Sequence, residues 1–334
     1  MLIPLLAVAA MAAPAAPATV ASSAPTDLSV LSYNIHGVPW PIARHRKGAL
    51  RQIGQSLAAM RASGDQPNIV LLQEAFTKPA KRIAALGDYR YAVAGPTRHD
   101  RMGAVRNPLT RLFTARDHRG KGEHDGTIED SGLLVLSDYP IVDVKRMPYP
   151  RFACAGFDCL ANKGVVLVRV QIPGSAELVT IIDTHMNSRG ASGVADARSD
   201  MAYHWQADSL RRFVADNVPP DAPAIVAGDF NIGAARDRLE DVTGDGGVLA
   251  GGADAVRSAV VGTAANPDAA ATLAIARHGK DWMFGRSGAQ TALSLQRVTE
   301  PFGRRADGRK LSDHMGYVAT YRVGPTPVVM AEAK

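Results

Sequence analysis

Five short apolar runs in this 334-residue sequence end on side chains able to bind a cation or move a proton. Leu31-Ser32-Tyr33-Asn34 ends on an amide, and Ile69-Val70-Leu71-Leu72-Gln73-Glu74 on a carboxylate. Ile181-Ile182-Asp183-Thr184-His185-Met186-Asn187 delivers an imidazole and an amide. Ile225-Val226-Ala227-Gly228-Asp229-Phe230-Asn231 delivers a carboxylate and an amide two residues apart, on one side of an extended segment. Leu311-Ser312-Asp313-His314 closes the series just before the last apolar run. A strand leaving the core needs some polar terminus, but exit to solvent alone does not call for Asn, Glu, His, Asp and His in turn. The oxygens of Asn, Glu and Asp suit a hard cation such as Mg²⁺ or Ca²⁺, and histidines suit proton transfer or contact with phosphate.

The elements that must position these residues are legible as pattern. Apolar runs rich in β-branched residues at 28–35, 69–72, 132–136, 164–172, 178–184, 224–227 and 317–323 read as strands. Leu50, Ile53, Leu57 and Met60 in 47–63, and Tyr203, Ala207, Leu210 and Val214 in 195–217, recur at helical spacing. Strands with helices interspersed, without eight regular repeats, predict an α+β or mixed α/β architecture. Two long segments, 97–131 and 232–277, read as irregular apart from a helix near 268–277. Within the first, residues 98–121 carry seven Lys/Arg against two Asp, which suits either a substrate-facing arm or a solvated one.

In this order, Tyr33-Asn34, Gln73-Glu74, Thr184-His185-Met186-Asn187, Gly228-Asp229-Phe230-Asn231, Lys280-Asp281-Trp282 and Ser312-Asp313-His314 resemble the endonuclease/exonuclease/phosphatase superfamily, which includes deoxyribonuclease I-like nucleases, inositol polyphosphate phosphatases and sphingomyelinases. The resemblance runs over nearly the whole chain. It implies an α+β, four-layer α/β/β/α sandwich of two packed mixed β-sheets flanked by helices, with the site at one end. It also implies metal ligation by Glu74 with Asn34 and Asp313, the cation being Mg²⁺ or another divalent ion such as Mn²⁺ or Ca²⁺. His185, Asp229, Asn231 and His314 would be catalytic around the phosphorus, with His314 favoured over Asp229 as the base and Asp281 orienting it. Asn187 and Lys163 would contact substrate. The segment Cys154-Ala-Gly-Phe-Asp-Cys159-Leu-Ala-Asn162-Lys163-Gly164 is similar to the secreted sphingomyelinase branch, whereas Ala227 before Gly228 is unlike the inositol phosphatases. The implied partner is a phosphodiester, phospholipid first and nucleic acid second, with no obligate protein partner. A third alternative is a binding module of this fold without chemistry, disfavoured because every expected catalytic residue type is present. A lipid enzyme would also touch a membrane, for which Val38-Pro39-Trp40-Pro41 and the loop aromatics Phe152 and Phe157 are the candidates.

Composition agrees with a soluble globular body. The chain is 46% hydrophobic and 21% charged, with a net charge of +6, a mild bias toward anionic partners. Residues 1–26 carry no charge, and the apolar run 2–13 is too short to span a bilayer. A signal peptide over 1–25, a single catalytic domain over 26–325, a flexible tail over 326–334 and a secreted or periplasmic location are expected. In an oxidising compartment Cys154 and Cys159 could form a small-loop disulfide, the alternative being two buried thiols.

Overall fold

A computed structural model of the protein describes residues 24–103, 107–303 and 309–327. The expected leader falls outside these residues except for its last two positions, as do residues 328–334 of the expected tail. From the N-terminal side the elements are β1 (Thr26–Asn34), α1 (Arg46–Ser63), β2 (Ile69–Gln73), α2 (Lys78–Lys81), α3 (Ile83–Leu86), β3 (Tyr91–Ala94), α4 (Pro108–Ala115) and β4 (Leu134–Ser137). There follow β5 (Ile141–Pro148), a 3₁₀ turn (Gly156–Leu160), β6 (Gly164–Val170), β7 (Val179–His185), α5 (Arg189–Ser192), α6 (Asp196–Asn217), β8 (Ala224–Asp229) and α7 (Arg236–Thr243). The last are β9 (Ala253–Asp254), α8 (Ala255–Val260), α9 (Ala269–His278), β10 (Asp281–Arg286), β11 (Thr291–Thr299) and β12 (Tyr317–Pro325).

Among the described residues the strands form two six-stranded sheets, ordered β11-β12-β1-β2-β4-β3 and β5-β6-β7-β8-β10-β9. Both are mixed: β1 runs parallel to β2 and β7 parallel to β8, the other pairs antiparallel. Alternation along each strand decides its two faces. Leu28, Val30, Ile69 and Leu71 of one sheet meet Val166, Val168, Ile181, Ile225 and Met283 of the other, forming the inter-sheet core. The out-of-phase residues Leu31, Tyr33, Val70 and Leu72 are covered by Leu50, Ile53 and Leu57 of α1 and Ile83 of α3. Leu167, Ile182 and Val226 are covered by Tyr203, Ala207 and Leu210 of α6. Central strands buried on both faces read as continuous apolar runs, which is why the sequence shows them so plainly. The result is the expected helix–sheet–sheet–helix sandwich.

Two expectations about the connections are corrected. Segment 232–277 has the expected helix near 268–277 as α9, but the rest is not irregular and holds α7, β9 and α8; Asp254 and Asp268 cap α8 and α9 by accepting from Arg257 N and Ala271 N. Segment 97–131 contains α4, opened by an Asn107–Thr110 capping box and anchored by Phe113, whose ring meets Trp205 edge-on at 4.9 Å. The strands β3, β5 and β11, which are short, half-exposed or polar, carry too little apolar alternation to be read locally.

Candidate active site

The phase of the strands carries directly into the site. Counting by twos from the inter-sheet core residues Val30, Leu71, Ile181, Ala227 and Met283 reaches Asn34, Gln73, His185, Asp229 and Asp281. All five therefore face the seam between the sheets, at the end where the parallel strands β1, β2, β7 and β8 terminate. Register aligns them sideways: His185 pairs with Asp229 and Asp229 with Asp281, while Asn34 pairs with Gln73. Gly228 makes room for this, having φ 145°, and a Cβ there would collide with the carbonyl of Thr184.

The seam is closed by one amide. Asn34 Nδ2 donates to Glu74 Oε1 at 2.9 Å and to Asp229 Oδ2 at 2.9 Å, tying the two sheets together. Its oxygen accepts from His36 N at 3.0 Å, which fixes the orientation of the amide. Asn34, expected as a metal ligand, is here the shared donor to two carboxylates, with one of the two lone pairs of its oxygen engaged by His36 N. Glu74 stands just past β2 with φ 57°. Burial, aided by the Asp229 charge, pushes its carboxyl up to about 7 despite the Asn34 hydrogen bond. Asp313 sits on the rim, largely exposed, 3.3 Å from His36 Nδ1.

Asp229 Oδ2 is the hub of the site, 3.5 Å from both His185 Nε2 and His314 Nε2. The opposite nitrogen of His314 faces both oxygens of Asp281, at 3.0 and 2.9 Å, so the expected orienting pair is in place geometrically. Burial alone would lower the His314 pKa; the Asp281 and Asp229 carboxylates outweigh it and raise it to about 10. His185 behaves oppositely. Burial, reinforced by the Lys163 ammonium, drives its pKa well down, leaving a neutral ring. Lys163 Nζ donates to His185 Nε2 at 3.1 Å and to Met186 O at 2.9 Å, and pairs with Asp158 at 3.0 Å. Asn231, with φ 50°, donates to Met186 O and is held by Asp229 Oδ1 through its backbone N–H. Glu74, Lys163, His185, Asp229, Asn231, Asp313 and His314 line one open cleft.

Asn187 does not belong to it. Its oxygen accepts from Ala155 N, its Nδ2 donates to Ser199 Oγ and Ser188 O, and the residue is fully buried. With both ends of the amide satisfied inside, it braces the disulfide loop against α6, which corrects the expectation of a substrate contact. The loop is closed by a Cys154–Cys159 disulfide rather than leaving two thiols. None of the described basic side chains of 98–121 lines this cleft, but Arg101 lines a neighbouring pocket that shares Lys163 with it.

Residues not singled out from sequence complete the surroundings. His278, at the end of α9, meets the His314 ring edge-on with centroids 5.1 Å apart, and its Nδ1 is 3.6 Å from Asp281. Ligand atoms of His278, Asp281 and His314 lie within 4.8 Å of one another. This nitrogen-rich set suits a softer cation than Mg²⁺, and His314 Nδ1 is already held by Asp281. Behind the site, Gln73 Nε2 donates to Asp183 Oδ1 at 2.6 Å across the sheets. Arg238, almost fully buried, donates to the carbonyls of Asn187 and Asn231. Asp183 had a signal, a lone carboxylate within an apolar run; Arg238 and His278 had none.

The fold is shared with sphingomyelinase C from Streptomyces griseocarneus, 22% identical with a TM-score of 0.58, covering 88% of this chain and 99% of that one. A beta toxin variant from Staphylococcus aureus with bound magnesium ions superposes with a TM-score of 0.55 at 17% identity, over 88% of this chain and 99% of that one. Among curated proteins, human sphingomyelin phosphodiesterase 3 is 31% identical over 122 residues, spanning 33% of this chain but only 18% of the human protein. A sequence model of the Endonuclease/Exonuclease/phosphatase family matches residues 31–314, and the chain belongs to that family.

Proposed function

We propose that this protein is an exported, divalent-cation-dependent phosphodiesterase of sphingomyelinase-like type that releases a phosphorylated head group from a phospholipid. The observation carrying the reading is the meeting of Glu74 and Asp229 at a single amide nitrogen, beside the Asp281–His314 pair. Burial first, and the Asp229 charge after it, make ionisation of Glu74 costly and raise its pKa to about 7. Such a pair fits a hard cation, which Glu74 would hold with Asp313 nearby. When bound, Mg²⁺ would neutralise charge on the phosphate and, by offsetting the Glu74 and Asp229 charges, return His314 toward the range where it accepts a proton.

The chain's own groups supply the rest of in-line hydrolysis. Asp281 keeps His314 Nε2 turned toward Asp229, and these two groups orient the attacking water and receive its proton. Lys163 and His185 stand on the other side of Asp229, where the Lys163 ammonium can attract phosphate oxygens and pass a proton through His185 Nε2 to the leaving oxygen. Water oxygen bonds to phosphorus as the bond to the lipid oxygen breaks. Lipid as substrate is favoured by the sphingomyelinase relatives. Export is supported by the uncharged 1–26 leader and by the Cys154–Cys159 bridge.

Purified protein with Mg²⁺ is expected to hydrolyse sphingomyelin vesicles in preference to plasmid DNA, and EDTA should abolish this. Glu74→Gln should fall to the EDTA background and lose the Mg²⁺-induced rise in melting temperature. Cleavage of DNA alone would replace the lipid reading with the nuclease one, and inactivity on both would favour a binding module.

A further inference from the structure

We infer that the loop between β1 and α1, with the basic faces of α1 to α3, is a docking surface for an anionic phospholipid membrane, placed to present the cleft to the bilayer. The inference rests on the lipid reading above. Trp40 and Ile42 are 74% and 70% exposed, two of the three most exposed large apolar side chains among the described residues, and they share one short loop. Of the other candidate aromatics, Phe152 packs edge-on against Trp205, and Phe157, less exposed at 44%, has Lys121 Nζ 5.4 Å from its ring.

Charge carried by the loop and α1 themselves has one sign, with the exposed Asp313 standing beside His36 at the loop's base and Asp138 pairing with Arg61. Residues 35–64 contain no Asp or Glu but include Arg44, Arg46, Lys47, Arg51 and Arg61. Arg44, Lys47 and Arg51 are exposed, as are Lys78 and Arg82 of the neighbouring helical turns. Lys47, Arg51, Arg82, Pro79 and the partly exposed Leu86 line an open groove beside the loop. Apolar tips set among unopposed cations match a membrane interface, where the tips enter the head-group layer and the cations meet acidic lipids. A nucleic acid backbone would use the cations but leave Trp40 and Ile42 in water.

The loop is also fastened to the site. Arg46 donates to the carbonyls of Ile35, His36 and Leu311, closing the loop at its base and tying it to the segment that carries Asp313 and His314. Insertion of Trp40 therefore orients the cleft rim rather than a distant face.

Sedimentation with phosphatidylcholine vesicles, with and without phosphatidylglycerol, tests this in EDTA, where hydrolysis does not intervene. The protein should bind the anionic vesicles and show a blue shift in tryptophan fluorescence. That shift reports Trp40, because Trp282 is buried and Trp205 is packed between Phe113 and Phe152. Trp40→Phe should keep binding and lose the shift. Arg44→Gln/Lys47→Gln/Arg51→Gln should weaken binding on the order of 100-fold at low salt, and Trp40→Ala/Ile42→Ser at least about tenfold. Both multiple variants should keep the parent's rate on a water-soluble phosphodiester, showing an intact site. Absence of vesicle binding by an active parent, or binding unchanged in both variants, would overturn the inference. Binding to plasmid DNA that is insensitive to Trp40→Ala/Ile42→Ser would do so as well. Vesicle binding lost in the variants, without any hydrolysis by the parent, would sink the enzymatic reading and leave the docking surface standing.

Discussion

Three non-glycine residues around the cleft, His36, Glu74 and Asn231, have φ of 48°, 57° and 50°, a region disfavoured for side chains with a Cβ. Each follows the end of a strand and turns its side chain at the point where the backbone must leave the sheet. Such conformations persist where the surroundings over-determine them, and here Asn34 does so by donating to Glu74 and accepting from His36 N, and Asp229 by accepting from Asn231 N. At this scale the firmest dependence is that of His314 on Asp281. Asp281→Asn replaces an acceptor of two close contacts with an amide that can favour the wrong tautomer and removes a charge that raises the His314 pKa. The rate should fall about 10²–10⁴-fold, mainly in kcat, with KM nearly unchanged and the circular dichroism spectrum intact. A change confined to KM would place Asp281 in substrate binding instead.

At the scale of elements, the 3₁₀ turn and its disulfide act as a bracket for Lys163. Asp158, in that turn, pairs with Lys163, and Ala155 N donates to Asn187. Bridging residues only five apart in sequence removes little chain entropy, so Cys154→Ser/Cys159→Ser should cost about 2 kcal/mol of unfolding free energy. The loosened Asp158 should also raise KM, because Lys163 loses its restraint; urea titration and steady-state kinetics read the two effects separately. Unchanged KM would make the bridge purely a stability device. The Cys-x₄-Cys spacing suggested this element in the sequence. Of the helices of 232–277 only α9 was expected; α7 and α8 were hidden because they span eight and six residues, too short for amphipathic periodicity to stand out.

For the whole molecule, the decisive feature is that polar links cross an otherwise apolar inter-sheet core at one end. Asn34 reaches Asp229 over 195 residues of sequence, and Gln73 reaches Asp183 over 110. Burial raises the Asp183 pKa well above its ordinary value, and one of its oxygens lacks a partner among the described residues. A carboxyl whose folded pKa is raised destabilises the fold as pH climbs from about 3.9 through the folded value, by up to about 1.4 kcal/mol per pH unit. Asp183→Asn keeps an oxygen for Gln73 and cannot ionise. The melting temperature of the parent relative to this variant should decline as pH rises above about 4. A difference independent of pH would mean that Asp183 is not protonated in the fold.

The strands that the sequence shows most plainly are the central ones, because burial on both faces leaves their composition no freedom. Their polar last residues were equally visible, since an apolar run that stops on Glu, His or Asp departs from its own pattern. Alternation even set which face Asn34, His185 and Asp229 would take. Only the tertiary structure decided that those faces oppose one another, that the Asn34 oxygen is used by its own backbone, and that Asn187 turns inward to the disulfide loop. These outcomes depend on pairing between segments more than a hundred residues apart, and on competition among several partners for one amide. Local spacing carries no information about either, because the energies involved arise only once the two sheets are packed.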